Sequence, residues 1–139
     1  MGLLAQKCFD GGVEIVEEYH KIDATIRSTR EAVAKNPPAV FEAAACSPDG
    51  AYSRIDILRK CLEEGVWDLV EVKSTTSVKD YHIDDMALQR YAFAGEGYDI
   101  GWIRGACGTD LHSCINCQSS SFFPYQPASA PRCLRDGLA

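Results

Sequence analysis

Three side chains in the middle of the chain could do chemistry together: Asp56, Glu71 and Lys73. Glu71 and Lys73 lie two apart in Trp67-Asp68-Leu69-Val70-Glu71-Val72-Lys73-Ser74, a run whose apolar residues predict a short strand. Side chains alternate faces along a strand, so Glu71 and Lys73 point one way and Val70 and Val72 the other. Asp56 stands among apolar neighbours in a second strand-like run, Ser53–Arg59. Two carboxylates and an amine on adjoining strands make a place for a divalent metal and an activated water. That combination suits hydrolysis of a phosphodiester, where charge on the phosphate must be screened and a nucleophile oriented. Magnesium takes hard oxygen ligands and keeps several waters, so Asp56, Glu71 and the main-chain carbonyl of Val72 suffice as a ligand set. An acid in an apolar strand is costly unless something pairs with it, which makes these placements informative. Glu42, among alanines, is either a further ligand or the partner of an arginine or lysine. Taken alone, Glu-Val-Lys on an exposed strand is more often a surface ion pair than a site.

The elements that must position these residues can be read in order. Residues 3–8 suit a short helix, Asp10-Gly11-Gly12 a turn, and Val13–Val16 a brief extended piece. A helix begins near Asp23, a candidate N-cap, carries Ile26, Ala32 and Val33, and ends at Asn36-Pro37-Pro38. Ala39–Cys46 and Ala51–Arg59 form a hairpin around Ser47-Pro48-Asp49-Gly50. Val66–Lys73 is the third strand. A polar stretch, Ser74–Ser77, leads to a helix over about Asp80–Ala94, closed by Gly95 and Gly97. Its expected core-facing stripe is Ile83, Met86, Ala87, Tyr91 and Ala94. A fourth strand is expected over Tyr98–Ile103. The sequence order (helix, three strands, helix, strand) predicts a mixed central β-sheet flanked by helices, an α/β fold.

The chain has 139 residues, enough for one domain with a core. Its 46% apolar and 24% charged content is that of a globular protein. No apolar run reaches membrane-spanning length, and the start lacks the regions of a signal peptide. The expectation is a cytoplasmic protein with no membrane partner. A net charge of −6 argues against broad adhesion to nucleic acid. Contact with DNA would then need a local rim, for which Arg54, Arg59, Lys60, Lys79 and Arg90 are candidates. Otherwise it would need a partner subunit or a further C-terminal domain. Beyond Ile103 the charged residues are Arg104, Asp110, Arg132, Arg135 and Asp136 alone. Periodicity is lost there as well, so residues 1–103 read as the folded domain and 104–139 as an irregular, cysteine-containing tail.

The pattern Asp56, then Glu71-Val72-Lys73, then a helix bearing Gln89 resembles the PD-(D/E)xK nuclease superfamily. More narrowly it is similar to the RecB-like branch, which includes the CRISPR-associated exonucleases. The segment Asp68–Asp80, with Asp85-Met86-Ala87-Leu88-Gln89 behind it, looks like the nuclease-like domain of a bacterial family, DUF2779. The resemblance covers residues 2–100, and its best motifs lie between 40 and 95. It implies a restriction-endonuclease-like core and a Mg2+- or Mn2+-dependent deoxyribonuclease. In such an enzyme Asp56 and Glu71 bind metal, Lys73 assists the attacking water and Gln89 orients the site. Position 93 is Phe where the branch often has Tyr, and no upstream helix brings a histidine. A nuclease-fold module without activity, acting in a larger assembly, is the alternative. Some nucleases of the branch hold an iron–sulfur cluster on one early and three late cysteines, and Cys8, Cys114, Cys117 and Cys133 invite that reading or a zinc site. Seven cysteines without a framework spacing favour free thiols instead. His20, His82 and His112 are dispersed, and neither a nucleophile elbow nor a phosphate-cradling glycine loop is present.

Overall fold

The computed structural model describes residues 6–73 and 80–107, with the side chains of Lys73, Asp80, Tyr81, His82, Ala106 and Cys107 left aside. Five strands and two long helices make up the fold: β1 (Val13–Glu14), α1 (Ile22–Ala34), β2 (Ala39–Cys46), β3 (Tyr52–Lys60), β4 (Val66–Lys73), α2 (Asp80–Glu96) and β5 (Asp99–Cys107). They form one mixed sheet in the order β1-β2-β3-β4-β5. β2, β3 and β4 are an antiparallel meander, and β1 and β5 join it in parallel at either edge. This is the α/β arrangement expected from the order of elements. β5 runs on past Ile103, as far as Cys107.

The hairpin turns where its sequence demands. Gly50 adopts φ +93°, and its N–H donates to the Ser47 carbonyl. Gly95, expected to close α2, lies inside the helix, which ends at Glu96 before Gly97 at φ +108°. A Cβ on Gly95 would stand 2.5 Å from the Cβ of Ser47, so its role is close packing against the hairpin. α1 starts one residue before Asp23, which sits in the first turn and favours the helix dipole there without capping it.

β1 spans two residues, so the outer edge of β2 outruns it. The amide hydrogens left over are taken by side chains. Ala44 N–H donates to Thr29 Oγ1 of α1 (3.0 Å), and Cys46 N–H to Glu96 Oε2 of α2 (3.1 Å). Arg30 in turn pairs with Glu96.

The core lies among Val40, Ile55, Leu58, Leu69, Phe93 and Ile103, all essentially inaccessible. The stripe expected on α2 needs correction. Ile83 and Tyr91 are 47% and 55% exposed, and Ala87 and Ala94 are exposed as well. Of the expected stripe Met86 is buried, and the helix buries Gln89, Ala92 and Phe93 beside it. Apolar residues occur all around this helix, so periodicity alone does not pick its inner face. Phe93 supplies the largest side chain, and it brings Gln89, one turn earlier, inward with it.

Candidate active site

The pairing of β2 with β3 places Phe41 opposite Ile57 and Ala43 opposite Ile55, so Glu42 stands across from Asp56. The pairing of β3 with β4 runs from Lys60↔Trp67 to Ile57↔Val70. One step further along each strand come Asp56 and Glu71, which line one cleft together with Glu42. Three carboxylates from three strands thus lie in one row, a relation that no sequence spacing displays.

At this row β3 and β4 part. β4 continues alongside β5 as far as Lys73↔Cys107, while its ladder with β3 stops at Val70. The Asp56 carboxylate spans the gap, accepting the Val72 N–H at 2.6 Å. A strand residue's N–H and C=O leave on the same side, so the Val72 carbonyl also faces the fork. Gln89 closes it from α2. Its Nε2 donates to Glu71 Oε2 (3.0 Å) and to the Arg54 carbonyl (3.4 Å), linking the parted strands. Both partners are acceptors, which fixes the amide orientation. Gln89 is 6% exposed, and among the described residues its Oε1 has no hydrogen-bond partner.

The row opens into a cleft of about 460 Å³ that also takes in Glu17, Tyr19 and Arg54. Ser28 of α1 donates to Glu17 (2.8 Å), tying the β1–α1 connection down. Tyr52, Arg54 and Asp56 alternate onto one face of β3. The Arg54 guanidinium is 3.6 Å from the Glu42 carboxylate and 5.5 Å from the centre of the Tyr19 ring. Burial pushes the Tyr52 phenol up, opposed by the Arg54 charge. Glu42 has φ +57° in the middle of β2, a left-handed conformation in a non-glycine residue. Such geometry is costly and tends to be held where a site needs it.

The structure therefore gathers Asp56, Glu71, Glu42, Gln89 and the main chain of Val72 at one place. Lys73 follows on β4, but its side chain lies outside the described structure, as do Ser74–Lys79, Cys114, Cys117, Cys133 and His112. Cys46 is a free thiol, half-buried at the end of β2. Among the described residues, no group of three or more His, Cys, Asp or Glu side chains converges enough to hold a metal ion. The set read from the sequence asks for less, two carboxylates and a peptide carbonyl, and that donor chemistry suits magnesium.

Asp68 is a carboxylate that sequence reasoning left without a role. It is fully buried and takes three hydrogen bonds: Arg59 Nη2 (2.7 Å), Cys61 Sγ (3.0 Å) and Trp102 N–H (2.7 Å). The last lies at a register shift where β5 carries one residue more than β4 between Leu69↔Ile103 and Trp67↔Ile100. Arg90 serves the same bulge from α2, donating to the carbonyls of Ile100 (3.3 Å) and Gly101 (3.4 Å). Arg59 and Arg90, read as a basic rim, are thus committed to the interior of the fold. A charge inside a buried strand was the available signal for Asp68. For Tyr19 there was none.

A cavity of about 520 Å³ lies between α1 and the hairpin, lined in part by Arg27, Arg30 and Glu96, and holds none of the carboxylate row. No helix among the described residues is long and apolar enough to cross a membrane. Compared with protein-family models, with curated proteins and with solved structures, the chain matches none of them.

Proposed function

We propose that this chain is a metal-dependent nuclease of the PD-(D/E)xK type, hydrolysing DNA phosphodiester bonds with Mg2+ or Mn2+. The restriction-endonuclease-like core is the fold reading that accompanies it. The observation that carries the proposal is the fork: Asp56 and Glu71 line one cleft where β3 and β4 part, and Gln89 bridges the two strands. In this reading Asp56, Glu71 and the Val72 carbonyl hold the metal, with Glu42 as a further carboxylate. A bound divalent ion supplies Lewis-acid activation of water and screening of the phosphate. Gln89 fixes the Glu71 carboxylate, so the ligand meets the reacting groups without reorganising. Asp56 holds the Val72 N–H on the fork side of β4. Lys73, two residues beyond Glu71, assists the attacking water.

A cytoplasmic location accompanies the reading. With Arg59 and Arg90 engaged inside the fold, DNA contacts beyond those of Arg54, Lys60 and Lys79 fall to a partner subunit or a further domain. One observation favours a second reading, an inactive module of the same fold. Arg54 already sets a cation beside Glu42 in the acidic row, as a structural ion pair would. Cleavage of linear and circular DNA with Mg2+ or Mn2+ separates the two. Activity abolished by Asp56→Ala and by Lys73→Ala is the expected result. Folded wild-type protein that cuts neither substrate with either metal refutes the nuclease reading in favour of the module.

A further inference from the structure

With Met86, Gln89, Ala92 and Phe93 turned inward, α2 keeps a second apolar face on the outside. Ile83, Leu88 and Tyr91 stand there with Ala87, Ala94 and Gly95, all exposed. Their spacings of three and four residues hold them in one stripe along the helix, and contiguous apolar surface rimmed by charge marks an interaction site. Beside the end of the stripe a hollow of about 380 Å³ opens against the β2–β3 turn, with Pro48, Ala87, Ala94 and Gly95 among its lining residues. Tyr91 lines it too, and its hydroxyl donates to Asp49 of the turn (2.6 Å). The larger cavity that holds Arg27 and Arg30 shares Ser47, Pro48 and Gly95 with this hollow, so the two adjoin. Charge is divided between the ends of the stripe. Asp84 and Asp85 are exposed near its start, and Arg27 and Arg30 are exposed near its end. Asp23 and Glu96 also line the larger cavity, but Glu96 is 4% exposed and already paired with Arg30. Among the described residues no ion pair engages Asp84, Asp85 or Arg27.

We propose that the outer face of α2 is the contact between two copies of this chain, packed antiparallel about a two-fold axis. A surface that is acidic at one end, apolar in the middle and basic at the other complements itself when a second copy is turned end for end. Centred on Gln89, the middle of the stripe, the pair sets Ile83 level with Gly95 of the other copy. Each Ile83 then enters the hollow of the opposite copy, and each Asp84 comes to the cavity edge where Arg27 stands. The proposal goes beyond the nuclease reading and does not rest on it. The helix has 17 residues and is about 25 Å long. A strip of that length and about 10 Å wide is well short of the roughly 800 Å² per partner of a standard interface, even with the hairpin turn and α1 adding to its margin. A weak, reversible dimer is therefore expected, with a Kd on the order of tens of micromolar.

Sedimentation velocity of the full chain, from about 5 to about 500 µM, spans that range. Wild type is compared with Ala94→Arg, Asp84→Arg and Arg27→Asp, all at exposed positions and each checked by circular dichroism. Ala94→Arg sets a charge in the middle of the contact and should raise Kd about tenfold or more. An exposed ion pair contributes about two- to fivefold and the two-fold axis repeats it, so each charge reversal alone should raise Kd about tenfold. The deciding sample is an equal mixture of Asp84→Arg and Arg27→Asp. In a mixed pair both contacts again join an arginine to an aspartate, so the mixture should associate as wild type does although neither component does so alone. Wild type that stays monomeric at the highest concentration overturns the proposal. A dimer indifferent to Ala94→Arg, or a mixture that associates no better than its components, overturns it as well.

Discussion

Asp68→Asn is the substitution whose consequence can be worked furthest from the structure. The change keeps shape and one carbonyl oxygen, so the Trp102 N–H at the β5 bulge can still find an acceptor. The other position becomes an NH2 group, aimed at a guanidinium or a thiol that is itself a donor. Arg59, 14% exposed at its side chain, loses its carboxylate while remaining inside the fold. Breaking one side of a buried ion pair costs about 3–5 kcal/mol. For a domain of this size each kcal/mol corresponds to about 4–8 °C in Tm, so a fall of more than about 10 °C is expected. Urea denaturation followed by circular dichroism measures it, with an unchanged m-value showing that stability alone has moved. Arg59→Met combined with Asp68→Asn removes the cation together with its carboxylate and should recover roughly half of the loss. A loss below about 1 kcal/mol for Asp68→Asn, or no recovery in the pair, would refute the account of Asp68 as the acceptor that seats both Arg59 and the bulge.

Three further outcomes follow from particular contacts. Gly95→Ala sets a methyl 2.5 Å from Ser47 Cβ and 2.9 Å from its Cα, so it should destabilise by about 1–3 kcal/mol in the same urea experiment. Glu42→Gly relieves φ +57° and should raise stability by about 1 kcal/mol; if the nuclease reading holds, calorimetric Mn2+ titration should show weaker binding in the same variant. Tyr98 has its phenol pushed up to about 12 from 10.0, first by burial and then by the Glu96 charge. The folded state therefore keeps a proton between pH 10 and 12 that the unfolded chain has released, and stability present below pH 10 is lost as pH rises through 12. Tyr98→Phe should move the alkaline unfolding midpoint upward, with little change at pH 7, since the Tyr98 hydroxyl is buried without a partner among the described residues.

The local signals in the sequence located the strands and both helices to within a few residues, because each relies on nearby chemistry. Asn36-Pro37-Pro38 stops a helix, Ser47-Pro48-Asp49-Gly50 turns a hairpin, and runs such as Val66–Lys73 extend. Which face of α2 turns inward was not legible, since Ile83, Leu88 and Tyr91 compete with Met86 and Phe93 and only the sheet decides among them. Asp56 and Glu71 could be singled out as acids in apolar strands. Their alignment with Glu42 depends on two strand registers that no single segment encodes. Glu42's backbone conformation, the β5 bulge and the burial of Asp68 are likewise products of the assembled sheet. Arg59 and Arg90 looked like surface charges because sequence gives no account of which carbonyls a bulge leaves over.

The brevity of β1 has a consequence for the protein in solution. An edge strand with unused amide hydrogens invites a strand from another molecule, the first step toward fibrils or domain exchange. On β2 the two hydrogens beyond β1 are already held by Thr29 and Glu96, and those side chains stand where an intruder would have to lie. An incoming strand would have to displace a helix hydroxyl and an Arg30-paired carboxylate before forming its first bond. Thr29→Val and Glu96→Ala would strip that guard, and self-association in concentrated samples is where its loss would first be felt.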